Sequence, residues 1–246
     1  MDPTQGLRPR RHRSGAEIAA PRVGVGFDFD HTLGIDNKLE RIAFLRLLER
    51  VLAEGGRALG TLDQETVRID ALLAAQRAGA STIGEAVRAF VAERGVVPTD
   101  DHVAAYASMC LAMVDDVVVP LPGARRTLQA LAAAGVQLAM LTNGWDPLQT
   151  AKARRVGFDG PVLTSAGIGA QKPDPRAFAA LAETLGLPAG AIWYVGDDPA
   201  IDIAGALAAG MQAVWLDAEG RSYPPGCPPP TRRIGALGDL PAIVAN

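Results

Sequence analysis

Cysteine is nearly absent: the 246 residues contain two, Cys110 and Cys227, far apart in the chain and in no CxxC pair. That spacing offers neither a disulfide framework nor a cysteine zinc cluster. Lysine is almost as scarce, with only Lys38, Lys152 and Lys172 among 24 basic residues. A basic field of the kind that drives nucleic-acid binding is missing too, because 27 acidic residues bring the formal charge to −3. No stretch reaches the 18 or more consecutive apolar residues of a membrane span, and the start of the chain lacks the apolar region of a secretory signal. The Arg10-Arg11 pair is followed by the polar HRSGAEIAAPR, not by the apolar segment that a twin-arginine signal needs. These absences lead to the expectation of a cytoplasmic, reduced protein with no nucleic-acid or membrane partner. What is abundant is core material: 48% hydrophobic against 21% charged residues, which excludes wholesale disorder.

Residues 1–21 carry Arg8, Arg10, Arg11 and Arg13 among Pro, Gly and Ser, without an apolar period or an aromatic to stack on a base. A flexible basic tail is expected there. From Arg22 the texture changes to RVGVGFDFD, a buried-strand run, and similar runs recur as VQLAMLT (136–142), PVLTS (161–165), AIWYVG (191–196) and MQAVWL (211–216), with TRRIG (231–235) weaker. They do not alternate, as suits strands covered on both faces. Helical patterns lie between them at 122–134, 147–156, 175–185 and 200–209, opened by Pro or a small polar residue and mostly closed by Gly. This alternation predicts an α/β fold with a doubly wound parallel, Rossmann-like sheet. From about Ile35 to Val118 the period becomes three and four, which predicts four inserted helices and no strand. The expected layout is the tail, a core domain at 22–34 and 119–246, and a helical domain at 35–118. SYPPGCPPP (222–230) reads as a stiff surface loop, and no internal repeat is present.

In such a sheet, ligands bind beyond the carboxyl ends of the strands. There the chain delivers Asp28-Phe29-Asp30-His31-Thr32, then Thr142-Asn143-Gly144, Gln171-Lys172-Pro173-Asp174 and finally Gly196-Asp197-Asp198 with Asp202. One such Asp is ordinarily a helix cap. Four loops in order on one rim are a site. Converging carboxylates repel by several kcal/mol, so a cation must balance them. Hard oxygen donors at a phosphate-handling site suit Mg²⁺, and Lys172 adds a compact positive charge in a chain that otherwise prefers arginine.

These motifs, FDFDHTL (27–33), LTNG (141–144), QKPDP (171–175) and VGDDPAID (195–202), closely resemble those of the haloacid dehalogenase-like hydrolase superfamily, spanning nearly the whole chain after the tail. The inserted helices resemble the cap of that family's first cap class, and LTNGWDPLQTAKARRVGF is similar to its nucleotidase-like and sugar-phosphatase-like branches. The resemblance implies Asp28 as nucleophile, Asp30 as general acid and base, and Thr142, Asn143 and Lys172 as phosphate-binding groups. It implies Mg²⁺ on Asp28, the Asp30 main-chain carbonyl and Asp197, with Thr32 fixing the turn and Asp198 or Asp202 supporting the metal or orienting Lys172. Dehalogenase members lack a carboxylate at the position of Asp30, since halide departs without a proton, so Asp30 points to phosphate esters. His31 stands where the family commonly has glycine; its ring either meets the leaving group or cap, or turns aside. The expected activity is Mg²⁺-dependent hydrolysis of a small soluble phosphate ester through an aspartyl phosphate. The alternatives are a phosphotransferase or phosphomutase, and a non-catalytic binding protein on the same scaffold.

Overall fold

The computed structural model describes residues 23–245, so the basic tail expected over 1–21 lies outside the described residues. Strand β1 (Gly24–Phe27) is central in a six-stranded parallel sheet. The others are β4 (Gln137–Thr142), β5 (Val162–Thr164), β6 (Ile192–Gly196), β7 (Gln212–Leu216) and β8 (Arg232–Ile234), in the order β5-β4-β1-β6-β7-β8. The chain leaves β1 for β4 and β5 on one side, then returns to build β6, β7 and β8 on the other. The order therefore reverses beside β1, and a ligand crevice belongs at that strand's carboxyl end.

Both faces of the sheet are covered, which explains why the strand sequences do not alternate. On one face Val25, Phe27, Met140, Val195 and Val214 join a continuous apolar core. Helices α5 (Ala124–Ala133), α6 (Leu148–Arg155) and α10 (Leu240–Val244) contribute to it. On the other face Ala139, Leu141, Ile192, Tyr194 and Trp215 pack with α7 (Ser165–Ile168), α8 (Pro175–Leu185) and α9 (Ala204–Ala208). Gly26 permits this contact: a Cβ there would meet Leu181 Cδ2 at 2.5 Å and Tyr194 Cδ2 at 2.9 Å. Helix α8 has the expected punctuation, with the Asp174 side chain accepting from the Arg176 N–H, Pro175 in the first turn and Gly186 closing at φ 62°.

The four expected inserted helices are α1 (Leu39–Ala53), α2 (Leu62–Arg77), α3 (Ile83–Glu93) and α4 (Asp100–Val117). Thr61 with Gln64 and Thr82 with Glu85 form capping boxes that start α2 and α3. Phe44, Phe90 and Tyr106 knit the bundle together, with ring centroids 5.0 and 4.5 Å apart. A buried ion pair, Arg94 with Glu65, ties α3 to α2.

Two local expectations need correction. The sequence pattern places Ile35 at the start of a strand-free helical segment, yet β2 (Gly34–Ile35) pairs antiparallel with β3 (Val119–Pro120), so the two connections to the insertion run side by side. Strands of two residues carry no readable period. The helix expected over 200–209 is instead a wide π-type turn at Pro199–Ile203 followed by α9. The Ile203 N–H bonds to the Asp198 carbonyl at 3.2 Å, and the widened turn carries Asp202 inward.

Candidate active site

The ends of β1, β4 and β6, with the loop before α8, open onto a single cavity of about 480 Å³. Asp28 leaves β1 with its N–H bonded to the Val195 carbonyl at 2.9 Å, and its side chain is buried at the floor. Lys172, from the loop before α8, is buried too. Its Nζ donates to Asp28 Oδ1 at 2.6 Å, Asp202 Oδ1 at 2.7 Å and the Tyr194 hydroxyl at 3.0 Å. The Tyr194 hydroxyl donates in turn to the Leu141 carbonyl at 2.8 Å. Oxygens of Asp28, Asp197 and Asp202 lie within 4.8 Å of one another.

These anions exceed their counter-charge. Burial first, then Asp202 and Asp30, pushes Asp28 up to about 7 despite the lowering effect of Lys172. Burial, then Asp28, pushes Asp197 up to about 6. Lys172 outweighs its own burial through Asp202 and Asp28 and is held well above the usual lysine value. The site is therefore short of positive charge, and its hard oxygen donors fit a divalent ion such as Mg²⁺.

The expected residues divide by what they touch. Asp28, Thr142, Lys172, Asp197 and Asp202 line the cavity together. Asp202 turns both oxygens to the protein, Oδ1 to Lys172 and Oδ2 to the Asp198 N–H at 3.1 Å. Asp198 lines the rim, but its Oδ1 caps the wide turn by accepting from the Ala200 and Ile201 N–H groups at 2.8 and 3.0 Å. Asn143, expected on the phosphate, lines the same cavity, and its amide bonds reciprocally with the Lys172 main chain, Nδ2 to the carbonyl at 3.0 Å and Oδ1 from the N–H at 2.8 Å. Thr32 is buried beneath the turn with its hydroxyl unpartnered, and its N–H meets the Phe29 carbonyl at 3.1 Å. His31 takes φ 57°, the left-handed conformation that glycine adopts most easily, and its ring lines the cavity near Asp197.

Asp30 lines the same cavity but stands outside the three-carboxylate group. Its Oδ1 is 2.9 Å from Lys152 Nζ, which also reaches Asp36 Oδ2 at 3.0 Å. Lys152, Tyr194 and Arg221, whose Nη2 donates to the Asp197 carbonyl at 3.0 Å, were not anticipated. The scarcity of lysine that singled out Lys172 applies equally to Lys152. No comparable signal marks Arg221 among so many arginines.

A Rossmann-like sheet under a helical cap, with an aspartate at the end of its central strand against a buried lysine, defines a class of capped α/β proteins. Within that class, the chain belongs to the haloacid dehalogenase-like hydrolase family, whose model matches residues 24–210. It is 32% identical over 256 residues to a phosphoglycolate phosphatase of Pseudomonas putida, covering 90% of this chain and 85% of that protein. To the pyrimidine 5′-nucleotidase YjjG of Escherichia coli it is 32% identical over 136 residues, covering 53% of this chain and 59% of the relative. For most of the curated relatives, the chain spans about half of their length or less. The structure also resembles a 2-haloacid dehalogenase of Pseudomonas syringae pv. Tomato, with a TM-score of 0.67, 26% identity, and coverage of 91% of this chain and 98% of that one.

Proposed function

We propose that the protein is a Mg²⁺-dependent phosphomonoesterase that works through an aspartyl phosphate on Asp28. The observation that carries this reading is the Asp28–Lys172–Asp202 chain at 2.6 and 2.7 Å, on the floor of a cavity that Asp30 and Thr142 also line. The Asp28 carboxylate attacks phosphorus as the ester P–O bond breaks. Asp30 gives its proton to the departing alkoxide. Water then attacks phosphorus, Asp30 takes the water's proton, and the P–O bond to Asp28 breaks to release inorganic phosphate and the free carboxylate. Lys172 holds Asp28 in place and offsets charge on the phosphoryl oxygens, which Thr142 also meets. Asp202 orients Lys172, and Asn143 fixes the main chain beneath it. The carboxylates of Asp28 and Asp197 and the main-chain carbonyl of Asp30 would hold Mg²⁺. The bound ion supplies further charge neutralisation at the phosphoryl group.

Several relatives are named as phosphatases of small soluble esters, phosphoserine and phosphoglycolate among them, which supports a small-molecule substrate. The dehalogenase neighbour raises a second reading. Asp30 weighs against it, because halide leaves without a proton. The test is a panel of phosphate esters and 2-haloacids, assayed with Mg²⁺ and with EDTA. Phosphate release that needs Mg²⁺ and is lost in Asp28→Asn is the expected result. Halide release without phosphate release, or turnover unaffected by EDTA, overturns the reading. Isomerised sugar phosphate without net phosphate release would move it to the phosphomutase alternative.

A further inference from the structure

Lys152 is a buried cation beside the cavity that the proposed chemistry leaves unused. It projects from α6 with 1% exposure, and its Nζ lies 2.9 and 3.3 Å from the two oxygens of Asp30 and 3.0 Å from Asp36 Oδ2. The ammonium also sits 4.5 Å from the centroid of the Phe29 ring. Glu40 and Cys110 lie within its electrostatic reach, and Arg77 faces Asp36 and Glu40 from the end of α2. A buried ammonium is tolerated only when its donors are satisfied, so this cluster is a built arrangement and no chance surface pair. Its members come from three places: Asp30 from the turn after β1, Asp36 from the strand-to-helix link that enters the cap, and Lys152 from the core.

We propose that Lys152 is a positioning residue that aims the Asp30 carboxyl group, with Asp36 anchoring the lysine from the root of the cap. The inference rests on the phosphomonoesterase reading. The side chain of Asp30 is 43% exposed to the cavity, so packing alone does not fix its rotamer. Contact with both of its oxygens by one immobile ammonium does. Without Lys152, Asp30 turns freely and is repelled by Asp36, which has lost the same cation. Proton transfer by a positioned side chain contributes about 10²–10⁴-fold, and a misplacement of about 1 Å removes up to about 10².

The test compares kcat/KM on p-nitrophenyl phosphate, whose leaving group departs without a proton, and on phenyl phosphate, whose leaving group needs one. kcat/KM reports the step in which the ester bond breaks. Lys152→Met should lose roughly 10–100-fold more on phenyl phosphate than on p-nitrophenyl phosphate, and Lys152→Arg should recover most of the difference. In an Asp30→Asn background, the extra loss from Lys152→Met should vanish. Equal losses on both esters, or losses that simply add to those of Asp30→Asn, overturn the inference in favour of a structural lysine. Lys152→Gln keeps a neutral donor on a shorter stem and serves the same comparison if the Met variant does not fold. Failure of the wild-type protein to hydrolyse either ester with Mg²⁺ removes the phosphatase reading, and this inference with it.

Discussion

Replacing Lys172 by Met keeps the aliphatic stem but strands Asp28 and Asp202, whose side chains are 11% and 1% exposed, without their shared cation. Removing one partner of a buried ion pair costs about 3–5 kcal/mol, a large part of the roughly 5–15 kcal/mol that holds a domain folded. The loss depends on pH in a direction that can be worked out. Lys172, held above its ordinary value, contributes its stability at every pH below about 10 and introduces no titration near neutrality. Asp28 already sits at about 7 with the lysine beside it, and without the lysine it and Asp202 rise further. A carboxyl group raised on folding penalises the native state above its folded pKa, and the penalty fades as pH falls toward its ordinary value. Metal-free urea denaturation should therefore show a loss of about 3–5 kcal/mol near pH 8, shrinking to about 1–2 near pH 5.5. The same loss at both pH values, or one below about 1 kcal/mol near pH 8, would refute the reasoning.

The proposed Mg²⁺ would compete with protons that Asp28 binds at about 7 and Asp197 at about 6, so saturating Mg²⁺ should raise Tm by roughly 5–10 °C above pH 7 and much less near pH 5. A thermal shift independent of pH contradicts this. Gly196→Ala would place a methyl group 2.4 Å from the Asp202 side chain, pushing that carboxylate off Lys172. Its kcat/KM should fall at least about tenfold, and an active enzyme with wild-type kinetics would show that Asp202 does not orient the lysine. Arg94→Met leaves the buried Glu65 carboxylate in the cap without its counter-charge, held only by the Leu59 N–H, and should cost about 3–5 kcal/mol in urea denaturation, with Arg94→Met/Glu65→Leu recovering most of it. Recovery absent in the double variant would mean that lost packing, not the stranded charge, dominates.

The sheet was legible because its parallel strands other than β8, which is Arg232-Arg233-Ile234, are largely apolar runs, and the rim was legible because polar residues follow those runs at the inner strands. Asp28, Thr142, Lys172 and Asp197 could thus be gathered into one site without coordinates. Partnerships between those loops could not. Lys152 and Asp30 are separated by 122 positions, and no local pattern announces that they meet. The motif around Asn143 marked its place at the cavity but not that its amide holds the Lys172 main chain. Asp198 and Asp202 looked interchangeable in sequence. They are separated by a wide turn in which one caps the backbone while the other reaches the lysine. Sequence also hid β2 and β3, since their pairing is an encounter of two distant dipeptides.

The claim beneath all of this is that the Asp28 carboxylate accepts a phosphoryl group beside Lys172 and a divalent ion. Beryllium fluoride forms a tetrahedral phosphoryl mimic on a carboxylate next to such an ion, and ¹⁹F NMR reads it directly. Bound fluorine resonances should appear only when Mg²⁺ is present and should be lost in Asp28→Asn. Resonances that persist in Asp28→Asn, or none in the folded wild-type protein with Mg²⁺, would contradict the account.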